Sequence, residues 1–173
     1  MGLWAALLLC LLPAAGLAES SSNEDSLKAA FILNFARYVE WPESSFKQAG
    51  EFCIASLGRS PLDRNLAALN GRSVKGRSVV FRQVSTPEAA GQCQVLFIRR
   101  AEPSRLVKML DSLKDKQVLT VSDQDGFCSY GGMLSLVSEQ GKLVFDLNLE
   151  EAQRSKLKPS SHLMRLARKI YTR

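Results

Sequence analysis

The chain has 173 residues, 46% of them hydrophobic and 23% charged, with 23 Lys and Arg against 17 Asp and Glu for a formal charge of +6. That length supports one domain of ordinary size and hardly two, and the composition excludes disordered, collagen-like and multi-span membrane classes. The single histidine, His162, excludes a multi-histidine metal site and leaves one residue through which any His-dependent catalysis would have to pass.

Residues 3–12 form an almost unbroken apolar run, followed by Pro13, Ala14, Ala15, Gly16, Leu17 and Ala18. This pattern predicts a secretory signal peptide over residues 1–18, with small residues at Gly16 and Ala18 placing cleavage before Glu19. The run is short for a membrane span, and Cys10 follows Leu9 where a lipidated cysteine would follow a small residue. The mature chain, residues 19–173, is expected to be exported, soluble and a single α/β domain.

The polar leader at residues 19–23 reads as mobile. Ser21 and Glu24 have capping-box spacing, and Leu27, Phe31, Phe35 and Val39 recur every fourth residue, which predicts an amphipathic helix ended by Trp41-Pro42. Residues 52–57 read as a buried strand, and Gly58 with Ser60-Pro61 as a turn into a helix carrying Leu62, Leu66 and Leu69 on one side. Asn70-Gly71 stops that helix. Residues 79–84 and 95–98 are two further strands. A second clear helix begins at Pro103 with Leu106, Val107, Leu110 and Leu113 toward the core, and residues 118–121 are the next strand. Residues 133–137 and 143–147 flank a polar, Gly-containing segment and predict a hairpin. Leu163, Leu166, Ala167 and Ile170 place an apolar stripe on a basic terminal helix. The whole predicts an α/β fold: a mainly parallel sheet with helices on both faces, plus a C-terminal β-hairpin and helix.

In an exported chain Cys53, Cys93 and Cys128 allow one disulfide and leave one thiol over. Cys53 and Cys93 lie at the leading ends of two strands expected to be parallel neighbours, which favours that pair. Arg99-Arg100, residues 72–77 and the tail with Arg154, Lys156, Lys158, Arg165, Arg168, Lys169 and Arg173 make a basic surface suited to an acidic partner, an anionic lipid or plain solvation. Export argues against nucleic acid. Asp123, Asp125 and Gly126 resemble the opening of a calcium loop, but the later ligands and terminal Glu are missing. There is no G-x-G-x-x-G or Walker pattern, no G-x-S-x-G, and no cysteine with a local histidine partner, so no cofactor, metal or catalytic residue is expected. His162 reads as a surface or core residue near a helix start. Phe127 and Tyr130 lie among Gly126, Gly131 and Gly132, a setting that suits a contact loop or, equally, two rings covering the edge of the core.

Leu27-Lys28-Ala29-Ala30-Phe31 followed by Asn34 to Pro42, NFARYVEWP, resembles the opening signature of the YfiR/HmsC-like periplasmic regulators. Further blocks are similar: VLTVSD from Val118, Gly126-Phe127, GGML from Gly131, FDLNL from Phe145, and LKPSSHLMRLAR from Leu157. The resemblance implies a non-enzymatic periplasmic repressor that binds the sensor domain of an inner-membrane diguanylate cyclase, lowering cyclic-di-GMP signalling and with it biofilm formation. It also implies the Cys53–Cys93 pair, whereas Cys128 has no nearby second cysteine for the additional bridge of some relatives. The contact surface is expected on Phe127, Tyr130 and Met133 together with the terminal helix, rimmed by Arg165 and Arg168. A homodimer is left open. The alternative is a periplasmic small-ligand-binding protein serving another membrane sensor, with a pocket near Gly58, Ile98 to Arg100 and Ser122-Asp123.

Overall fold

A computed structural model describes residues 16–172 of the chain. The apolar run at residues 3–12 lies outside the described residues. Helix α1 (Gly16–Tyr38) passes straight through residues 19–23, so Ser21 is not a helix start. Upstream helical backbone already supplies the carbonyls that its first-turn N–H groups would otherwise lack. The buried face of α1 is Ala29, Ile32, Leu33, Phe35 and Ala36. Leu27, expected on this face, is 45% exposed. A four-residue spacing overshoots one turn by about 40°, so by Val39 the stripe has rotated about 120° away from Leu27.

The remaining elements are β1 (Val39–Glu40), β2 (Glu51–Leu57), α2 (Asp63–Ala67), β3 (Ser73–Val74), β4 (Arg77–Val84), β5 (Val95–Ile98), α3 (Pro103–Ser112), β6 (Leu119–Ser122), β7 (Leu134–Glu139), β8 (Lys142–Asn148), α4 (Leu149–Arg154), β9 (Lys158–Pro159), α5 (Ser161–Leu166) and β10 (Lys169–Tyr171). Eight strands form one sheet in the order β10-β8-β7-β6-β5-β2-β4-β3. The five from β7 to β4 are mutually parallel, whereas β8 joins β7 and β3 joins β4 antiparallel. Separately, β1 pairs with β9 and ties the end of α1 to the C-terminal region.

Both faces of this sheet are covered, as the sequence predicted. Phe52 and Ile54 of β2 and Val95 and Phe97 of β5 pack with α1, Leu62 and Leu66 on one side. Cys53, Ala55, Leu96 and Ile98 pack on the other with Leu106, Leu110 and Leu113. Strand residues alternate between faces, so burial on both makes each strand a continuous apolar run. Val107 is an exception to the expected α3 face and points outward, 38% exposed.

The C-terminal part differs most from the sequence reading. The hairpin turn is only Gln140-Gly141, both at positive φ, and the β7–β8 ladder continues to Glu139 and Lys142; two left-handed residues suit the tight turn that matches strand twist. The expected long terminal helix is one short helix, α5, capped by the Ser160 hydroxyl accepting from the Leu163 N–H. Ala167 is extended and the chain then forms β10 along β8. Thus Ile170 belongs to an edge strand and not to a helical stripe. The Arg168 N–H donates to the Phe145 carbonyl, so pairing with β8 overrides local helix propensity.

Candidate functional site

The Gly-flanked segment forms a single 3-10 turn, Phe127–Tyr130, held between Gly126 and Gly131 in left-handed conformations. It splits the expected contact residues. Phe127 is fully buried and Met133 is buried, so neither ring nor thioether faces a partner; both are corrections to the contact-loop expectation. The cause is Gly132, where a Cβ would overlap the Phe127 ring. Lacking that atom, the backbone lets the ring seat on it and close the α3 side of the core. Tyr130 remains 37% exposed. With Val107 and Leu110 of α3 and Glu151 and Arg154 of α4 it lines a surface groove of about 280 Å³.

Cys128 is the second residue of this turn and is buried. Its thiol is within sulfur hydrogen-bond range of the Met133 and Asp146 carbonyls. Burial, reinforced by the nearby Asp146 carboxylate, pushes its pKa up to about 12. The Asn148 amide fixes the segment by donating to the Cys128 carbonyl at 3.0 Å, while its oxygen accepts from Glu151 N–H and caps α4.

The two arginines expected at the rim behave differently. Arg168 grips buried Asp146 with two hydrogen bonds of 2.8 and 2.7 Å and also reaches Glu139 at 3.0 Å. These bonds raise the guanidinium pKa further and make Arg168 a fastener of β10 to the hairpin. Arg165 is exposed. Nearby, Leu166 is 58% exposed and Ile170 and Tyr38 are also exposed; the His162 ring lies 4.9 Å from that of Tyr38. His162 sits in the first turn of α5, as expected. Strand β10 ends the sheet, so among the described residues one of its edges carries no strand partner.

Cys53 and Cys93 form a disulfide with a Cα separation of 4.5 Å. Beside it, Gln94 accepts from the Cys53 N–H at 2.7 Å and donates to the Ser45 carbonyl at 2.7 Å. That buried amide aligns β2, β5 and the residues ahead of β2.

The carboxyl ends of the strands hold a second feature. From β2 the chain crosses through α2, on the α1 side, to β4; from β5 it crosses through α3, on the opposite side, to β6. Connections leaving neighbouring strands in opposite directions open a crevice, the usual ligand position of open α/β sheets. Two cavities lie there. One, of about 560 Å³, is lined among others by Asp25, Lys28, Leu62, Phe97 and Asp123. Lys28 bonds Asp123 at 2.8 Å and Glu24 at 2.9 Å. Burial works against the Lys28 charge, but these bonds outweigh it and hold its pKa above the ordinary value. Burial also raises the Asp25 carboxyl, with Lys28 opposing and Glu24 and Asp123 adding to the rise.

The other cavity, of about 270 Å³, is lined among others by Arg59, Arg99, Arg100 and Arg105 and, among the described residues, by no carboxylate. Arg99 and Arg100 border both spaces. Of the residues expected around one pocket, Gly58 and Ile98 line the smaller cavity, Asp123 the larger, and Arg99 and Arg100 both, whereas Ser122 is fully buried and lines neither; Arg59 and Arg105 are not among the residues expected there. Their only signal was their position just after a strand and at a helix start. Among the described residues, no group of three or more His, Cys, Asp or Glu could hold a metal ion.

Comparison with known proteins adds two findings. The family described as YfiR/HmsC-like matches residues 25–168. Among solved structures, a protein described as the ABC domain in complex with L-Trp, from Streptococcus pneumonia, superposes with a TM-score of 0.53 at 10% identity. That match covers 82% of this chain and 60% of the other; at such identity it speaks to the α/β fold alone.

Proposed function

This chain belongs to the YfiR/HmsC-like family, and on that premise we propose that it is a periplasmic repressor that binds the sensor domain of an inner-membrane diguanylate cyclase and lowers cyclic-di-GMP. The observation that carries the reading is the family match from α1 through α5. The work done is binding and no covalent chemistry. A protein that prefers the inactive cyclase shifts its equilibrium by that preference alone; driving a two-state sensor from 1:99 to 99:1 takes about 10⁴-fold differential affinity.

Residues 1–18 act in this reading as a cleaved signal peptide ahead of one domain, residues 19–173. The Cys53–Cys93 bridge supports an oxidising compartment. The contact face is formed by Leu166, Ile170, Tyr38 and Arg165 at the β10 edge, with Tyr130 as a second point of contact and Arg168 holding the edge in place. Phe127 and Met133 contribute by supporting Tyr130 from beneath.

The test is deletion and complementation with cyclic-di-GMP as the readout. Deletion should raise the messenger, wild type should restore it, and Leu166→Glu/Ile170→Glu should fail to restore it while remaining folded in the periplasm. A messenger level indifferent to deletion refutes the repressor. Full complementation by the double variant refutes this face.

A second reading, a small-ligand-binding protein serving another membrane sensor, is favoured by the crevice between β2 and β5.

A further inference from the structure

We propose that the crevice at the carboxyl ends of β2 and β5 binds the phosphate group of a small phosphomonoester, held by Arg59, Arg99 and Arg105. This names the ligand class for the second reading above and rests on that reading; it does not depend on the repressor reading.

Three observations converge. The first is topological: the onward crossovers of the neighbouring parallel strands β2 and β5 leave by opposite faces, through α2 and α3, and ligands of such sheets gather at such points. The second is charge. Four arginines line one cavity and, among the described residues, no carboxylate does. Arg100 is engaged with Asp123, donating to its carbonyl at 3.0 Å and lying 3.9 Å from its carboxylate. Arg59, Arg99 and Arg105 have no ion pair among the described residues; the Arg99 guanidinium donates to the Arg59 carbonyl at 3.1 Å, which holds those two loops together. Like charges repel, so three uncompensated cations brought to one concave space are best satisfied by an anion of more than one charge. A planar fork with several N–H groups suits phosphate oxygens, and three such forks exceed what one carboxylate can accept.

The third is shape. At about 270 Å³ the arginine cavity is small for a whole metabolite, whose sites are usually about 300–1,000 Å³. Across Arg99 and Arg100 lies the larger space, lined by Pro61, Leu62 and Phe97 and by the Lys28 cluster with Glu24, Asp25 and Asp123. Its apolar side chains suit the organic part of the ligand, and its carboxylates leave the phosphate to the arginine cavity.

The experiment is calorimetric titration of the purified mature protein at low ionic strength with inorganic phosphate, glycerol 3-phosphate and succinate. Saturable one-to-one binding of both phosphate compounds is expected, with succinate weaker. Arg59→Ala/Arg105→Ala should weaken phosphate binding at least tenfold. Arg72→Ala/Lys75→Ala, which removes the same charge from exposed positions on either side of β3, should leave it unchanged. Equal losses in the two double variants would mean diffuse positive charge and overturn the site. Tighter, crevice-dependent succinate binding would overturn the phosphate class while leaving a ligand-binding protein. No saturable binding of any of the three would overturn both. Phosphatidylglycerol vesicles distinguish a headgroup from a free metabolite: vesicle binding lost only in Arg59→Ala/Arg105→Ala, without binding of free phosphate, would overturn the proposal in favour of lipid.

Discussion

Removing the disulfide should cost the domain a large part of its stability. Cys53 and Cys93 are 40 residues apart; the chain-entropy relation for such a loop gives about 13 cal/mol/K, or about 4 kcal/mol at room temperature. Domains have only about 5–15 kcal/mol in all, so Cys53→Ala/Cys93→Ala should remain folded with a much reduced margin. For a chain of this size the loss corresponds to a fall in Tm of about 8–16 °C. The assay is urea denaturation followed by tryptophan fluorescence. Trp41 is the one tryptophan of residues 19–173; it is buried edge-on to Phe52 of β2, with ring centroids 5.2 Å apart, so it reports the strand that carries Cys53. Pre-reduced wild type should match the variant, because Cys128, the remaining cysteine among the described residues, is free. A loss below about 1 kcal/mol would refute the reasoning, since it would mean that the loop is held as tightly by β2–β5 pairing in the unfolded ensemble as by the bond.

Gly132→Ala should destabilise by about 1–3 kcal/mol, because the new methyl overlaps the Phe127 ring and the core must shift; an unchanged thermal midpoint would contradict that packing. Tyr130→Glu should stay within about 0.5 kcal/mol of wild type yet weaken repression, whereas Phe127→Glu should fail to fold; circular dichroism and cyclic-di-GMP measured on both variants separate the two outcomes. Cys128 should resist alkylation at pH 8 in the folded protein and react fully in urea. Its pKa is 9.0 when unperturbed and about 12 in the fold, so the folded state holds the proton more tightly. The resulting stabilisation is intact below about pH 9 and is lost as pH rises toward about 12. Wild type should therefore lose stability over that window relative to Cys128→Ala, and parallel pH profiles would refute the burial argument.

The parallel strands were legible because burial on both faces leaves an apolar run that needs no partner to be recognised: residues 52–57 and 95–98 are such runs, and β2 and β5 are close to them. The C-terminal elements were not. Helix α4 has six residues, too few for a 3.6-residue period to declare itself. Residues 163–170 carry a helical apolar pattern, yet β8 offers an open edge and Asp146 offers a buried carboxylate to Arg168, and neither is visible from local sequence. Glycines beside aromatic residues suit either a contact loop or rings covering the core edge, and local sequence does not decide between them; Phe127 takes the second setting, with Gly132 as the flat backbone against which its ring packs.

The crevice arginines illustrate the same limit in another form. Arg59 follows β2, Arg99 and Arg100 follow β5, and Arg105 lies in the first turn of α3; only the strand order brings Arg59 beside the other three. That order also separates the two proposed surfaces. Between β5 and the β10 edge lie β6, β7 and β8, and four strand spacings of about 4.8 Å put the crevice roughly 19 Å across the sheet from the β10 edge. No side chain spans that gap, so a phosphate ligand could influence the partner only by favouring one arrangement of the sheet over another. Coupling of this kind is reciprocal: if ligand changes partner affinity by some factor, partner changes ligand affinity by the same factor. Titrating phosphate with and without the sensor domain therefore reads the coupling directly. Identical affinities would mean that the crevice and the β10 edge serve separate roles on one rigid sheet.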